Sequence, residues 1–127
     1  MNAQDMMDQL NPNALRALEG GKEIFIEDVQ DPDGRWYRIE YQCEPDGSNA
    51  RAKVRYNSWG SNSYSYVQSH LSGNGDICLG TGMTATTSPY DLEFAVKRAR
   101  FWCTGYSFLR ENGYQRTCDF IPEWGNA

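Results

Sequence analysis

Residues 36–56 of this chain read WYRIEYQCEPDGSNARAKVRY, and they indicate its fold. Apolar and polar side chains alternate over residues 36–43, which is typical of a strand with one buried face. Residues 44–47, EPDG, are a strong turn signal, and the alternation resumes over residues 51–56. The pattern therefore predicts two antiparallel strands joined by a short turn. The side chains expected to face the interior are Tyr37, Ile39, Tyr41, Cys43, Ala52, Val54 and Tyr56.

The residues before this segment predict a third strand and a short helix. Ile24 and Ile26 point to one face of the strand and Phe25 to the other. Residues 31–34, DPDG, supply the turn into the next strand. Residues 1–20 are weakly helical, although a proline at position 12 interrupts the apolar pattern. The paired glycines at positions 20 and 21 are expected to end this helix.

The residues after this segment predict a long loop and then the strongest helix of the chain. Residues 64–67 suit a short fourth strand, and residues 70–87 are rich in Gly, Ser and Thr and form the loop. Ser88 is expected to be the N-cap of the helix, with Pro89 in the first helical position, and Gly113 to follow its end. The apolar stripe of this helix has a period of 3.6 residues. Its members are Leu92, Ala95, Val96, Ala99, Trp102, Cys103, Tyr106 and Leu109.

Together these elements predict a single α+β domain over residues 1–127. Their order is an N-terminal helix, an antiparallel meander of three or four strands, a long loop and a long C-terminal helix. The tail, residues 114–127, contains Phe120, Ile121 and Trp124, and part of it is expected to pack on the core. A chain of this length can bury a sizeable core without disulfides or metals.

Charge and composition narrow the classes of function. The net charge of −5 argues against a general affinity for nucleic acid or an anionic membrane, because both require a positive surface. No apolar run is long enough to span a bilayer, and residues 1–10 lack the basic start and apolar middle of a signal peptide. The chain is therefore expected to be cytoplasmic and to bind a protein or a small molecule.

The spacing of the four cysteines is wide and irregular, with no C-x-x-C pair. Because zinc sites usually take two ligands that are close in sequence, no metal site is expected. No cofactor is expected either. Cys43 and Cys103 fall on the apolar faces of predicted elements and are expected to be buried. Cys118 lies in the tail and its role stays open.

Cys78 differs from the other cysteines because it lies in the glycine-rich segment 70–80, HLSGNGDICLG. Ile77 and Leu79 flank it on either side. This arrangement can anchor the two apolar side chains in the core and present the thiol between them at the surface. A thiol held in this way, close to exposed main-chain N–H groups, is a candidate nucleophile.

The segment around Cys78 resembles that of a known family. Residues 74–79, NGDICL, resemble the N-G-x-I-C-L segment around the catalytic cysteine of ubiquitin-conjugating (E2) enzymes. His70 resembles the histidine of that family's His-Pro-Asn motif, and residues 88–89 resemble the Ser-Pro pair that opens the next helix. The short chain with one long helix after the cysteine is similar to the bacterial E2-like branch. The resemblance covers about residues 24–113 and implies a UBC-like fold.

The resemblance also implies an acyl transfer in two steps. The Cys78 thiol would receive the C-terminus of a ubiquitin-like protein from an E1-like activating enzyme as a thioester. An amine of a target protein would then accept it. The family's Pro-Asn pair is replaced here by Leu71 and Ser72, so the role of the family's asparagine would pass to Ser72, Asn74 or main-chain N–H groups.

The other polar residues near Cys78 have two interpretations each. His70 either orders the loop through hydrogen bonds or acts as a base. Asp91 either orients or deprotonates the incoming amine, or is simply a favourable charge in the first turn of a helix. Tyr64 and Tyr66 either border the site or belong to a half-buried strand face.

Two other functions are compatible with the same residues. One is a non-catalytic interaction adaptor with a UBC/RWD-like fold, in which Cys78 is a buried core cysteine. The other is a hydrolase in which His70 activates Cys78, although no third, orienting group is evident. A thiol that resists alkylation in the native state would favour the adaptor. Cleavage of a ubiquitin-like fusion by the chain alone would favour the hydrolase.

Overall fold

The computed structural model describes residues 1–113, which form an α+β fold, as expected. Within these residues, four strands form one antiparallel sheet in the order β1-β2-β3-β4, and a long helix packs on one face of it. The elements in chain order are helix α1 (Ala3–Leu10), strands β1 (Leu15–Glu19), β2 (Lys22–Gln30), β3 (Trp36–Cys43) and β4 (Arg51–Asn57), the single-turn helix α2 (Tyr66–Ser69) and helix α3 (Leu92–Asn112).

The core lies between the inner face of the sheet and α3. All eight residues of the stripe predicted for this helix are buried, and so are the alternating side chains predicted for β3. Trp102 of the helix packs edge-on against Tyr37 of β3, with the ring centroids 6.0 Å apart. The burial of Cys43 and Cys103 is also confirmed. Removing these apolar and aromatic side chains from water is the main force that holds helix and sheet together.

A buried carboxylate joins the helix to the sheet. Glu27 of β2 accepts hydrogen bonds from Arg100 of α3, at 2.7 and 3.1 Å, and from the Tyr41 hydroxyl at 2.6 Å. The Glu27 side chain is only 1% exposed. A charge this deeply buried is tolerated because its oxygens are paired and hydrogen-bonded. The contact therefore sets where α3 crosses the sheet.

The prediction of helix up to residue 20 was wrong, because residues 15–19 form strand β1. The two glycines that follow do not end a helix. Gly20 and Gly21 have positive φ angles of 58° and 79° and form the two-residue turn of a hairpin, in which Glu19 pairs with Lys22. Two consecutive positive φ angles suit the right-handed twist of a hairpin and favour glycine. The fourth strand of the meander is therefore β1.

Residues 64–67 do not form the predicted strand. Tyr66 instead begins α2, and Ser65 is its N-cap. The Ser65 hydroxyl accepts from the main-chain N–H of Gln68 at 3.2 Å, and the Gln68 side chain accepts from the N–H of Ser65 at 3.0 Å. This reciprocal pair is a capping box, which favours a helical turn over an extended segment.

The N-cap predicted for the long helix was also wrong, because Asp91 rather than Ser88 caps it. The Ser88 N–H donates to the side chain of Asn49 at 2.6 Å, and the carbonyl of Tyr90 accepts from Ala50 at 2.8 Å. These contacts hold residues 88–90 against the turn before β4. The helix begins at Leu92 and, as predicted, ends before Gly113.

The prediction assigned one residue of β4 to the wrong face of the sheet. Ala52 is buried as predicted, but Tyr56 is 56% exposed on the other face of the sheet. Ile39 pairs with Val54, whereas Arg38 pairs with Tyr56, so one extra residue of β4, Arg55, interrupts the ladder. Such a bulge reverses the inside-outside alternation beyond it.

The expectations for the tail, residues 114–127 including Cys118, concern residues outside those that the structure describes. Across residues 1–113, no helix is both long and apolar enough to cross a membrane. In the same part of the chain, no cluster of three Asp, Glu, His or Cys side chains is placed to hold a metal ion.

Candidate active site

Residues 70–78 form a small hairpin that continues the sheet beyond β4. The N–H of Val54 donates to the carbonyl of Gly75 at 2.8 Å, and the N–H of Ile77 donates to the carbonyl of Ala52 at 2.9 Å. Without this hairpin, β4 would present unpaired main-chain groups at the edge of the sheet. The segment that carries Cys78 is therefore held by the main chain of the sheet rather than left as a free loop.

The turn of this hairpin depends on Ser72 and Gly75. The N–H of Gly75 donates to the carbonyl of Ser72 at 3.0 Å, and Gly75 has a positive φ of 86°, which glycine adopts easily. The Ser72 hydroxyl accepts from the N–H of Asp76 at 3.0 Å and from that of Asn74 at 3.3 Å. Ser72 is thus engaged in shaping the turn, while Asn74 lies exposed at its tip.

Cys78 lies between two buried neighbours. Ile77 is 1% exposed and Leu79 is fully buried, whereas Cys78 is partly exposed. The Cys78 N–H donates to the carbonyl of His70 at 2.9 Å, and its sulfur lies 3.7 Å from the carbonyl oxygen of Gly80. The two flanking side chains fix the strip in the core, so the direction of the thiol is set by the main chain.

His70 connects α2 to the strip that carries Cys78. It is the C-cap of α2, where its N–H donates to the carbonyl of Tyr66 at 2.7 Å, and it adopts left-handed angles with φ of 55°. Burial lowers the pKa of the His70 imidazole, so the ring is neutral at pH 7. The main chain of His70 thus contributes directly to the position of Cys78.

Tyr66 is the first residue of α2 and lies beside His70. Its ring centroid lies 6.5 Å from that of His70 at a tilt of 40°. Burial and, to a lesser extent, a hydrogen bond with Cys78 raise the pKa of Tyr66 to about 12. The phenol therefore stays protonated at neutral pH. The sequence offered Tyr66 either as a border of the site or as part of a strand face, and it lies in the helical turn α2 instead of a strand.

The other side of the strip is closed by Tyr90. Its hydroxyl donates to the carbonyl of Thr81 at 2.7 Å, and its ring stacks on Phe94 with centroids 4.3 Å apart. A Cβ atom at Gly80 would lie 2.2 Å from the Tyr90 hydroxyl oxygen, so position 80 has room only for glycine. Sequence patterns do not reveal this contact, because it joins residues ten apart in an irregular segment.

Asp91 is placed at the start of α3 and acts there as a cap. One of its carboxylate oxygens accepts from the N–H of Phe94 at 2.9 Å, and the residue is exposed. Of the five residues singled out from the sequence, hydrogen bonds join two pairs, His70 with Cys78 and Ser72 with Asn74. The described side-chain hydrogen bond of Asp91 goes to the main chain of its own helix.

A groove of about 450 Å³ runs beside the strip, between the hairpin turn and the segment that leads to α2. Tyr66 lines this groove, and Cys78 does not. No charged side chain takes part in its lining. The residues that line it are Val54, Asn57, Gly60, Ser61, Asn62, Tyr64, Tyr66, Leu71, Ser72, Gly73 and Gly75.

Cys78 is the reactive candidate among the three cysteines of residues 1–113. Burial is the main cause that raises the pKa of Cys43 to about 12, and burial likewise raises the pKa of Cys103. Both are inside the core. Because the thiolate is the nucleophilic form, neither is suited to attack an acyl donor at neutral pH.

Comparisons with known proteins leave the family of this chain open. No protein-family model matches the sequence, and neither a curated protein nor a solved structure is significantly similar to it. The functional interpretation therefore rests on the residues and geometry of the site. That geometry is a partly exposed thiol between two buried side chains, on a strip that a main-chain hydrogen bond ties to His70.

Proposed function

We propose that this chain is an E2-like carrier of a ubiquitin-like protein, with Cys78 as the acyl-accepting nucleophile. The observation that carries the proposal is the partly exposed Cys78 between the buried Ile77 and Leu79. The order of elements gives further support. A helix and a four-stranded meander precede the cysteine and a long helix follows it, which agrees with the UBC-like fold that the resemblance implies.

The chemistry would proceed by two acyl transfers. In the first, the Cys78 thiolate attacks the carbonyl carbon of the thioester between an E1-like enzyme and the C-terminus of the modifier. The new S–C bond forms, the bond to the E1-like cysteine breaks, and that cysteine leaves as a thiolate. In the second, an amine of the target attacks the new thioester. A C–N bond forms, Cys78 leaves as a thiolate, and the proton of the amine passes to solvent.

The surrounding residues would support this chemistry mainly by position. The main chain of His70 would hold Cys78 in place. Ser72 and Asn74 would act by keeping the hairpin turn in shape. Asp91 would fix the start of α3. The role of the family's asparagine would pass to Ser72, Asn74 or main-chain N–H groups of the strip.

The test is transfer of a ubiquitin-like protein to Cys78. The chain is incubated with an E1-like enzyme, a ubiquitin-like protein and ATP, and the products are separated on a non-reducing gel. We expect a band that dithiothreitol removes and that Cys78→Ala abolishes. Cys78→Ser or Cys78→Lys should trap an adduct that survives reduction, and Cys118→Ser serves as the matched control. If the same E1-like enzyme and ubiquitin-like protein load another carrier but give no thiol-sensitive band with this chain, the proposal would be contradicted.

A non-catalytic adaptor is the second candidate function. It is favoured by Leu15 and Trp36, which are 62% and 49% exposed and line the same groove on the sheet. Exposed apolar groups of this size are typical of protein-binding surfaces. Alkylation of the native chain discriminates the two, because a carrier requires a Cys78 thiol that reacts while the chain is folded.

A further inference from the structure

We propose that Met83 is an oxidation site through which a hydroperoxide loosens the strip that carries Cys78. The sulfur of Met83 accepts a hydrogen bond from the main-chain N–H of Leu79 at 3.3 Å. Leu79 directly follows Cys78 and its side chain is fully buried. The contact thus ties the Met83 side chain to the main chain of the strip, whether or not the chain carries a modifier.

Met83 also joins an exposed loop to the core. Within residues 81–87, Met83 is partly buried and packs against the core, whereas the other six residues are exposed. The Tyr90 hydroxyl holds one end of this loop at the carbonyl of Thr81, and Arg51 donates to a carbonyl further along it at 3.1 Å. Between these two points, the Met83 side chain connects the loop to the strip.

The three other methionines of the chain do not share this contact. Met7 is fully buried in the core, and Met1 is 70% exposed at the start of the chain. Met6 packs against the core from α1, and the hydrogen bonds described for residues 1–113 include none to its sulfur. Met83 is therefore the methionine whose oxidation alters a hydrogen bond of the strip.

The reaction requires a hydroperoxide, of which hydrogen peroxide is the simplest. The Met83 sulfur attacks one oxygen of hydrogen peroxide, an S–O bond forms and the O–O bond breaks. The sulfur is oxidised by two electrons to the sulfoxide, and the second peroxide oxygen is reduced and leaves as water. Methionine sulfoxide reductases reverse this change in proteins generally.

Oxidation would release the loop because a sulfoxide is a poor substitute for a thioether at this position. The sulfoxide is polar and chiral, and its oxygen requires hydrogen bonds that an apolar core does not supply. The side chain is therefore expected to leave the core and to face water. The N–H of Leu79 then loses its acceptor, and the strip loses the side chain that packs beside it.

The test follows the Leu79 amide by hydrogen exchange and needs neither an E1-like enzyme nor a modifier. The full-length Cys78→Ser chain is treated with hydrogen peroxide, and dithiothreitol then reverses disulfides and sulfenic acids at the other cysteines. Mass spectrometry should find Met83 oxidised before the fully buried Met7. We expect exchange of the Leu79 amide to rise by about tenfold or more, because it loses its acceptor and its cover. A methionine sulfoxide reductase should restore slow exchange.

Two variants make the result specific to Met83. Met83→Leu keeps a side chain of similar size that forms no sulfoxide, so peroxide should leave its Leu79 exchange unchanged. Met6→Leu is the matched control and should respond to peroxide as the parent chain does. Unchanged exchange in a chain oxidised at Met83 would overturn the proposal, and so would an equal response in Met83→Leu. Absence of a thioester with an E1-like enzyme would instead contradict the carrier function alone.

Discussion

The main-chain N–H of Cys78 donates a 2.9 Å hydrogen bond to the carbonyl oxygen of His70. His70 has left-handed backbone angles, which cost a residue with a Cβ atom about 1–2 kcal/mol. This conformation turns the chain sharply after α2 so that His70 faces the strip. The imidazole and the main chain of His70 are therefore separate contributions, and substitutions can distinguish them.

Replacing His70 by glycine tests the main-chain contribution. Because glycine adopts left-handed angles easily, we expect His70→Gly to keep the free energy of unfolding within about 1 kcal/mol and to keep Cys78 open to alkylation. His70→Val should lose about 2 kcal/mol or more, since a β-branched residue is strained at this position. Urea unfolding measures the difference. A glycine variant less stable than the valine variant would contradict the assigned geometry.

Gly80 is predicted to be intolerant of any side chain. A Cβ atom there would lie 2.2 Å from the Tyr90 hydroxyl oxygen and 2.8 Å from the adjoining ring carbon. Gly80→Ala should therefore destabilise the chain by about 1–3 kcal/mol and displace the Cys78 strip. Thermal unfolding and the rate of Cys78 alkylation report the two effects.

Gly73→Ala is the matched control on the same strip. A Cβ atom at position 73 meets no heavy atom within 4 Å, and the φ angle is not in the left-handed range. We expect a change of less than about 0.5 kcal/mol. Equal losses for Gly73→Ala and Gly80→Ala would show that the Tyr90 contact is not what restricts position 80.

The buried pair of Glu27 and Arg100 is expected to matter more than an exposed pair on the same helix. Arg100→Ala leaves the Glu27 carboxylate, which is 1% exposed, without its cation. The expected loss is about 3 kcal/mol, the lower end of values for buried pairs because Arg100 is partly exposed. Lys97→Ala removes the exposed contact with Glu93 and should change stability by less than about 0.5 kcal/mol. Denaturant unfolding of both variants decides whether burial sets the difference.

Acid is expected to destabilise the chain first through its only histidine. Burial lowers the pKa of His70 in the folded state, so the unfolded chain, with a pKa of about 6.5, binds the proton more readily. Stability should therefore fall as the pH drops from 7 toward 5. In His70→Gln this part of the decline should be absent. If the free energy of unfolding fell in parallel for the wild type and His70→Gln over this pH range, the role assigned to His70 would be contradicted.

A second decline is expected at lower pH and has a different cause. Burial raises the pKa of Asp31, but hydrogen bonds from the Ser107 hydroxyl and from the N–H groups of Arg35 and Asp33 outweigh burial and hold that pKa below its usual value. The stability from this carboxylate is present above about pH 4 and is lost as the pH falls through the lowered pKa. Asp31→Asn should reduce this second decline and leave the first unchanged.

Local patterns were sufficient for the regular parts of the fold. The alternation around Ile39 predicted β3, and the 3.6-residue stripe around Trp102 predicted α3, because the period of each element follows from its own backbone geometry. The same patterns also placed Ile77 and Leu79 in the core with Cys78 between them. The anchoring of the candidate nucleophile could thus be predicted from the sequence.

Errors arose where contacts between distant residues outweighed local preference. Residues 15–19 form a strand because they pair with the edge of β2. The N-cap of α3 is Asp91 rather than Ser88, because Asn49 and Ala50 form hydrogen bonds with the main chain of residues 88–90. A bulge turned Tyr56 outward. In each case the deciding hydrogen bond comes from another element, which a sequence pattern does not reveal.

By itself, the sequence determined the α+β class and the buried stripe of the long helix, since these follow from local periodicity. Cys78 was singled out by its glycine-rich segment and by the family resemblance of that segment. The tertiary structure alone decided which groups surround that sulfur. The main chain of His70 and the carbonyl of Gly80 meet Cys78 only after α2 and the hairpin have packed together. Main-chain hydrogen bonds across these elements set their positions, and such bonds depend on the folded path of the chain rather than on neighbouring residues.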